Sequence, residues 1–282
     1  MPPIIQILGL PFLACVLMSM ILGYLGVHVL KREVIFIDIA LAQIAAVGSI
    51  AAHLAFGVHG DSPLAYGCSF GCVLLAAAFY AVIRNKVVQI SLEAIIGISY
   101  ALAAAAALFL VGIAAGGHIH IQHILSGSLL WTSWRDIIIS LLVYSAAGFC
   151  FYVIRKPVTE ISDNYQNSLN KGARVIFWDF VFYMVLGVVI TLSVRIGGVV
   201  VVFAYLIIPA TISSTFSSKL SLELIMVWTA AIAASLAGLL FAYYLDFSIG
   251  PAVALFLGVE LIIAALVNKL GVHSARPVSL SK

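Results

Sequence analysis

Apolar residues run almost unbroken along this chain, in blocks separated by short polar or glycine-containing breaks. A helix crosses the hydrocarbon of a bilayer with roughly 20 apolar residues. These blocks are rich in Ala, Leu, Ile and Gly and lack the alternation of a barrel strand, so they predict helices. The pattern places spans near residues 4–30, 34–57, 63–83, 92–114, 135–154, 175–194, 198–216, 221–245 and 249–268. At Gly197-Gly198 the chain either turns tightly on the outer side or interrupts one helix, giving nine spans or eight. The first block has no basic leader region and is long enough to span, so it is expected to stay in the membrane as a helix.

Composition sets the solvent. Of 282 residues, 64% are hydrophobic and 9% are charged, with a mean hydropathy of +1.20. That is more apolar surface than one water-soluble core of this length can hide. The expectation is an all-α, polytopic transmembrane bundle occupying residues 1–282 as a single domain. Lys and Arg stay in short cytoplasmic loops. With the N-terminus outside, 12 of the 14 basic residues fall on the cytoplasmic side: Lys31, Arg32, Arg84, Lys86, Arg155, Lys156, Lys171, Arg174, Lys219, Lys269, Arg276 and Lys282. Arg135 and Arg195 fall outside. The net charge of +3 is therefore a topological signature that implies no nucleic-acid partner. The expected orientation is N-out and C-in.

Cys15, Cys68, Cys72 and Cys150 lie within expected spans. There they read as small packing residues, with no disulfide framework. Two loops interrupt the apolar background. Residues 155–174, RKPVTEISDNYQNSLNKGAR, form the longest polar segment, cytoplasmic by the charge rule and the natural docking surface for a soluble partner. Its pattern suggests a short helix closed by Gly172 as a C-cap. On the outside, His118, His120 and His123 are metal-ligating types, but their spacing splits them between two sides of an extended chain.

Acids and amides inside a membrane are expensive and mark function by default. Asp38 is expected a little over one turn into the second span, Gln43 near the bilayer middle, and Glu260 deepest, midway along the ninth. Asp38 and Gln43 lie about 140° apart around a helix. Glu93 opens the fourth span and Asp179 the sixth. For each, a carboxyl that merely locks helices together is the alternative. The chain carries no phosphate-binding loop and no protease-type constellation, so it is not expected to hydrolyse ATP or to be an enzyme.

Six pieces in order carry a resemblance: KREVIFIDIALAQIAAVGS; SLEAIIGISYALA; HIQHILSGSLLWTSWRDI; NSLNKGAR; IGGVVVVFAYLIIPATISSTFS; and YYLDFSIGPAVAL. Together they resemble the membrane permease of bacterial metal-type ABC importers, which carry zinc, manganese or iron, over nearly the whole chain. The most specific are Leu206 to Thr211 with Pro209, similar to L-x-x-P-A-A, and Asp246 with Gly250 and Pro251, similar to D-x-x-x-G-P. The resemblance implies a homodimer of permeases, two cytoplasmic ATP-binding subunits and an extracytoplasmic metal-binding protein. It also implies alternating access with no permanently bound cofactor, the ion being cargo. ATPase coupling would fall on Asn167, Lys171 and Gly172.

The sequence departs from its relatives where they carry D-A-L-S-H in the second span. Aligned on Gly48, their Asp falls on Ile39 and their His on Gln43, while Asp38 takes the place of a Gly. Gln binds transition metals weakly, so either ligation has moved or the cargo differs. His120 falls where relatives often have Asp. Asp38, Gln43, Glu260, His118, His120 and His123 are thus the candidates for the translocation path. A permease for a metal chelate and an ion-coupled secondary transporter are the competing readings.

Overall fold

The computed structural model describes residues 2–58, 62–86, 90–113, 127, 129–163, 173–217 and 219–274. Among them, nine helices are long and apolar enough to cross a membrane. They are α1 (Pro2–Lys31), α2 (Ile37–Phe56), α3 (Pro63–Lys86), α4 (Leu92–Ile113), α5 (Trp134–Asp163), α6 (Ala173–Gly197), α7 (Val199–Phe216), α8 (Leu220–Leu245) and α9 (Ile249–Ser274), with one 3-10 turn at Leu129–Trp131. The described residues contain no strand, as expected of backbone that must satisfy its own hydrogen bonds in lipid.

Four helices form the inside of the bundle. Windows of α1, α2, α6 and α7 are half-buried or more, whereas α4 is 22% buried. Helix α1 packs on α5, α7 and α8; α2 on α3, α4 and α6; and α7 also on α8 and α9. Small residues permit the closest crossings, as is usual where lipid removes any hydrophobic preference between helices. At Gly26 a Cβ would collide with the Leu206 carbonyl, so α1 and α7 approach backbone to backbone only because that atom is missing.

Side-chain bonds define one common face. Glu223 on α8 pairs with Lys31 at 3.6 Å, Asp179 on α6 with Arg32, Arg84 on α3 donates to the Arg32 carbonyl, and Glu93 on α4 accepts from the Ile35 amide at 3.2 Å. The ends of α1, α3 and α5 and the starts of α2, α4, α6 and α8 therefore meet at this basic face.

The glycine break is a turn. Gly197 closes α6 beside Met18, midway along α1, and Gly198 stands at φ 80° and ψ 162° before α7 begins, a conformation that suits a residue without Cβ. Next, α7 runs back toward the basic face, with Leu206 at the level of Gly26. The turn is buried against the backbone of Gly127, so its irregular backbone touches protein instead of lipid. The nine-span reading is the one the fold adopts.

One expectation fails. The polar pattern places residues 155–163 at the start of a separate loop, yet they continue α5 through Pro157 to Asp163. Proline removes one helical hydrogen bond. Val158, Ile161 and Ser162 are buried on one side of the helix, however, and that packing keeps the helix going where the local sequence signals a stop.

Candidate functional site

The basic face is held by a buried ion pair. Helix α1 ends in a Schellman motif: Val34 N–H reaches the Val29 carbonyl and Glu33 N–H the Leu30 carbonyl, with Glu33 left-handed at φ 55°, a place usually taken by Gly. This stop turns Arg32 inward. Its Nη1 donates to Asp179 Oδ1 at 2.7 Å with both side chains fully buried, its Nε donates to Ser162 Oγ at 3.0 Å, and its guanidinium lies 4.0 Å from the Phe182 ring centroid. His28 Nδ1 meets the same Ser162 hydroxyl at 3.2 Å. Arg84 adds a bond to the Tyr183 hydroxyl at 3.0 Å. Arg32, held by Asp179, therefore ties α1, α5 and α6 together. The sequence reading took Arg32 and Arg84 only as markers of orientation. Their buried partners could have been suspected from a boundary arginine and an intramembrane acid assigned to the same face.

Asp38 is different. It lies in the first turn of α2, because the helix begins only at Ile37, and not beyond one turn as the sequence suggested. It is 1% exposed, and its Oδ1 has no hydrogen-bond partner among the described residues. The α2 N-terminus has no side-chain cap, so the carboxyl sits where the helix dipole favours negative charge. Gln43, also buried, is five residues further along the helix. Toward the opposite face, Arg195 reaches Ser49 at 3.4 Å, stacks 3.8 Å over Tyr66, and lines a small polar hollow with Ser69 and Thr191.

Glu260 lies midway along α9, partly exposed, with Oε2 buried and unpartnered among the described residues. Around it Leu255, Val259, Ile262 and Ile263 form an exposed apolar strip. Helix α9 packs on α7 and α8, whereas α2 packs on α3, α4 and α6, so one copy of the chain does not bring Asp38 and Glu260 into a shared cage. No group of three or more His, Cys, Asp or Glu suited to a metal occurs among the described residues. His118, His120 and His123, and equally Asn167, Lys171 and Gly172, lie outside the described residues.

The remaining motif residues build turns. Asp246 is the left-handed C-cap of α8, at φ 53°. Gly250 lies against Val201 and the Gly197 carbonyl, and Pro251 occupies the first turn of α9, where a missing N–H costs nothing. Pro209 is buried inside α7, one turn from the Gly26 crossing.

Comparison with known proteins adds an independent line. The sequence profile described as the ABC 3 transport family matches residues 5–268. A Chlamydia pneumoniae protein named "Probable metal transport system membrane protein" is 22% identical over 92% of this chain and 88% of its own length. One of the same name from Chlamydia muridarum is 24% identical over 51% of this chain and 50% of its own length. A "Probable iron transport system membrane protein" from Haemophilus influenzae is 26% identical over 55% of this chain and 57% of its own. The matches thus span about half the length of two of these relatives and most of the third. Among solved structures, PsaBC from Streptococcus pneumoniae in complex with Fab superposes with a TM-score of 0.74 at 20% identity, covering 92% of both chains. The structure titled "An inward-facing conformation of a putative metal-chelate type ABC transporter" gives 0.68 at 17% identity, covering 92% of this chain and 85% of that one.

Proposed function

The chain belongs to the ABC 3 transport family, and we propose that it is the membrane permease of an ATP-driven importer of divalent transition-metal ions. It is a multi-pass membrane protein by its nine apolar helices. The observation that carries the reading is the family match over residues 5–268, on a fold where buried carboxyl oxygens of Asp38 and Glu260 have neither a hydrogen-bond nor an ion-pair partner among the described residues and are hard cation ligands held in low dielectric.

In this reading two copies form the transporter. The apolar strip on α9 is covered by the partner copy, which places Glu260 beside a shared path. Two cytoplasmic ATP-binding subunits dock on the segment after α5, with Asn167, Lys171 and Gly172 as coupling residues, and an external binding protein delivers zinc, manganese or iron. The basic face is cytoplasmic by the positive-inside rule. In a chain stripped of native cysteines, an impermeant thiol reagent should label Val58→Cys from outside and Ser91→Cys only from inside; the opposite pattern reverses the proposed orientation.

The function is tested in sealed vesicles carrying the complete complex. ATP-dependent accumulation of radiolabelled zinc, manganese or iron is expected, with the preferred ion identified by competition. Accumulation of none of the three removes the proposal, and accumulation driven by a proton gradient without ATP would favour a secondary transporter.

A further inference from the structure

Helices α5 and α8 each pack on α1 but make no substantial contact with one another, and the gap between them is a cleft of about 950 Å³. Its walls are Leu17 and Met20 of α1, Leu141 of α5, and Leu224 and Trp228 of α8. At its mouth stand Arg155, Lys156, Thr159 and Glu160. Helix α5 ends at the basic face, where Arg32 and His28 hold Ser162, so the cleft opens at that membrane surface. From Leu141 to Lys156 the helix rises about 22 Å, the depth of one leaflet with its headgroup layer, half of a bilayer about 40–45 Å thick.

We propose that this cleft binds an anionic phospholipid of the leaflet on the basic face, its chains between α5 and α8 and its phosphate between Arg155, Lys156 and the Thr159 hydroxyl. Three observations carry this. The apolar wall and the cationic mouth lie in the order of a lipid's own parts. Arg155 and Lys156 are exposed, and the Arg155 guanidinium rests 4.7 Å from the Tyr152 ring centroid, which holds it at the rim. With Glu160 counted, the mouth is still net positive. Finally, the cleft is carved by a missing side chain, since Gly148 on the lining face of α5 has open space within 4 Å of where its Cβ would stand. The inference needs the chain to span a bilayer and is independent of what it transports.

Trp228 makes the cleft readable. With Trp131, Trp134 and Trp178 replaced by Phe, the chain is placed in phosphatidylcholine vesicles holding a minority of phosphatidylglycerol, with brominated chains on one lipid or the other at matched fraction. Brominated phosphatidylglycerol should quench Trp228 on the order of tenfold more effectively, the selectivity expected of two basic side chains at a membrane surface. Arg155→Gln with Lys156→Gln should erase that preference while leaving quenching itself. Gly148→Phe should fill the cleft and weaken quenching by both lipids. Equal quenching by the two lipids, or a preference that survives loss of both charges, overturns the proposal. So does a Trp228 shielded from both lipids in the chain with Arg155, Lys156 and Gly148 intact, because protein would then cover the cleft.

Discussion

Asp179 and Asp38 are both buried acids close to the same face, one at the junction of α1, α5 and α6, the other at the start of α2. The first accepts from Arg32 Nη1 at its Oδ1 at 2.7 Å; the second keeps an oxygen without a partner among the described residues. An uncompensated buried polar group costs stability, so a fold keeps one when something other than stability is served. The contrast separates an acid used for architecture from one that the proposed function assigns to a cation, a difference that residue type alone does not convey.

Breaking the architectural member should have the largest effect. Asp179→Asn leaves Arg32 buried without its counter-charge, which costs roughly 3–5 kcal/mol. The expected outcome is loss of folded protein from the membrane, read by abundance and by thermal melting in detergent. Replacing the pair together, Arg32→Met with Asp179→Leu, should recover much of the loss; no recovery would mean that the ion pair is not what Asp179 supplies. Gly26→Leu comes next. It forces apart the α1–α7 crossing at a cost of at least about 1–3 kcal/mol, and an unshifted melting temperature would show that the helices do not meet so closely.

Asp38→Asn sharpens the other side. The amide is the same size and removes only the charge, so melting should hardly move while uptake by the full complex falls on the order of tenfold, about 1.4 kcal/mol in transport free energy. Uptake at the unsubstituted level would reduce Asp38 to a second architectural acid. The smallest effect is a gain: Glu33→Gly relieves a left-handed residue in the Schellman motif and should raise stability by about 0.5–1 kcal/mol, seen as a small upward shift in melting.

The nine helices were legible because lipid imposes one rule on every span, a long apolar run, and the runs are unambiguous. What the sequence could not convey was partnership. The Arg32–Asp179 pair joins residues 147 apart, and no local spacing encodes that. The extension of α5 past Pro157 is hidden for a related reason: Val158 and Ile161 read as loop residues until the main core takes in Val158 and Val175 and Trp178 of α6 cover Ile161. Side-chain chemistry alone marks the metal candidates, and within one copy of the chain Asp38 and Glu260 sit on helices with no substantial contact.

The turn at Gly198 decides parity. Because one residue reverses the chain there, α7 crosses in the opposite sense to α6, and the segments flanking the nine described helices lie on opposite faces of the bundle. A bulky residue that straightened Gly198 and fused α6 to α7 would lower the number of crossings by one. Every loop downstream of residue 216 would then change sides. The sidedness of about the last quarter of the protein thus depends on a single positive φ, and a reporter fused after α9 would read the state of that one dihedral from the far end of the chain.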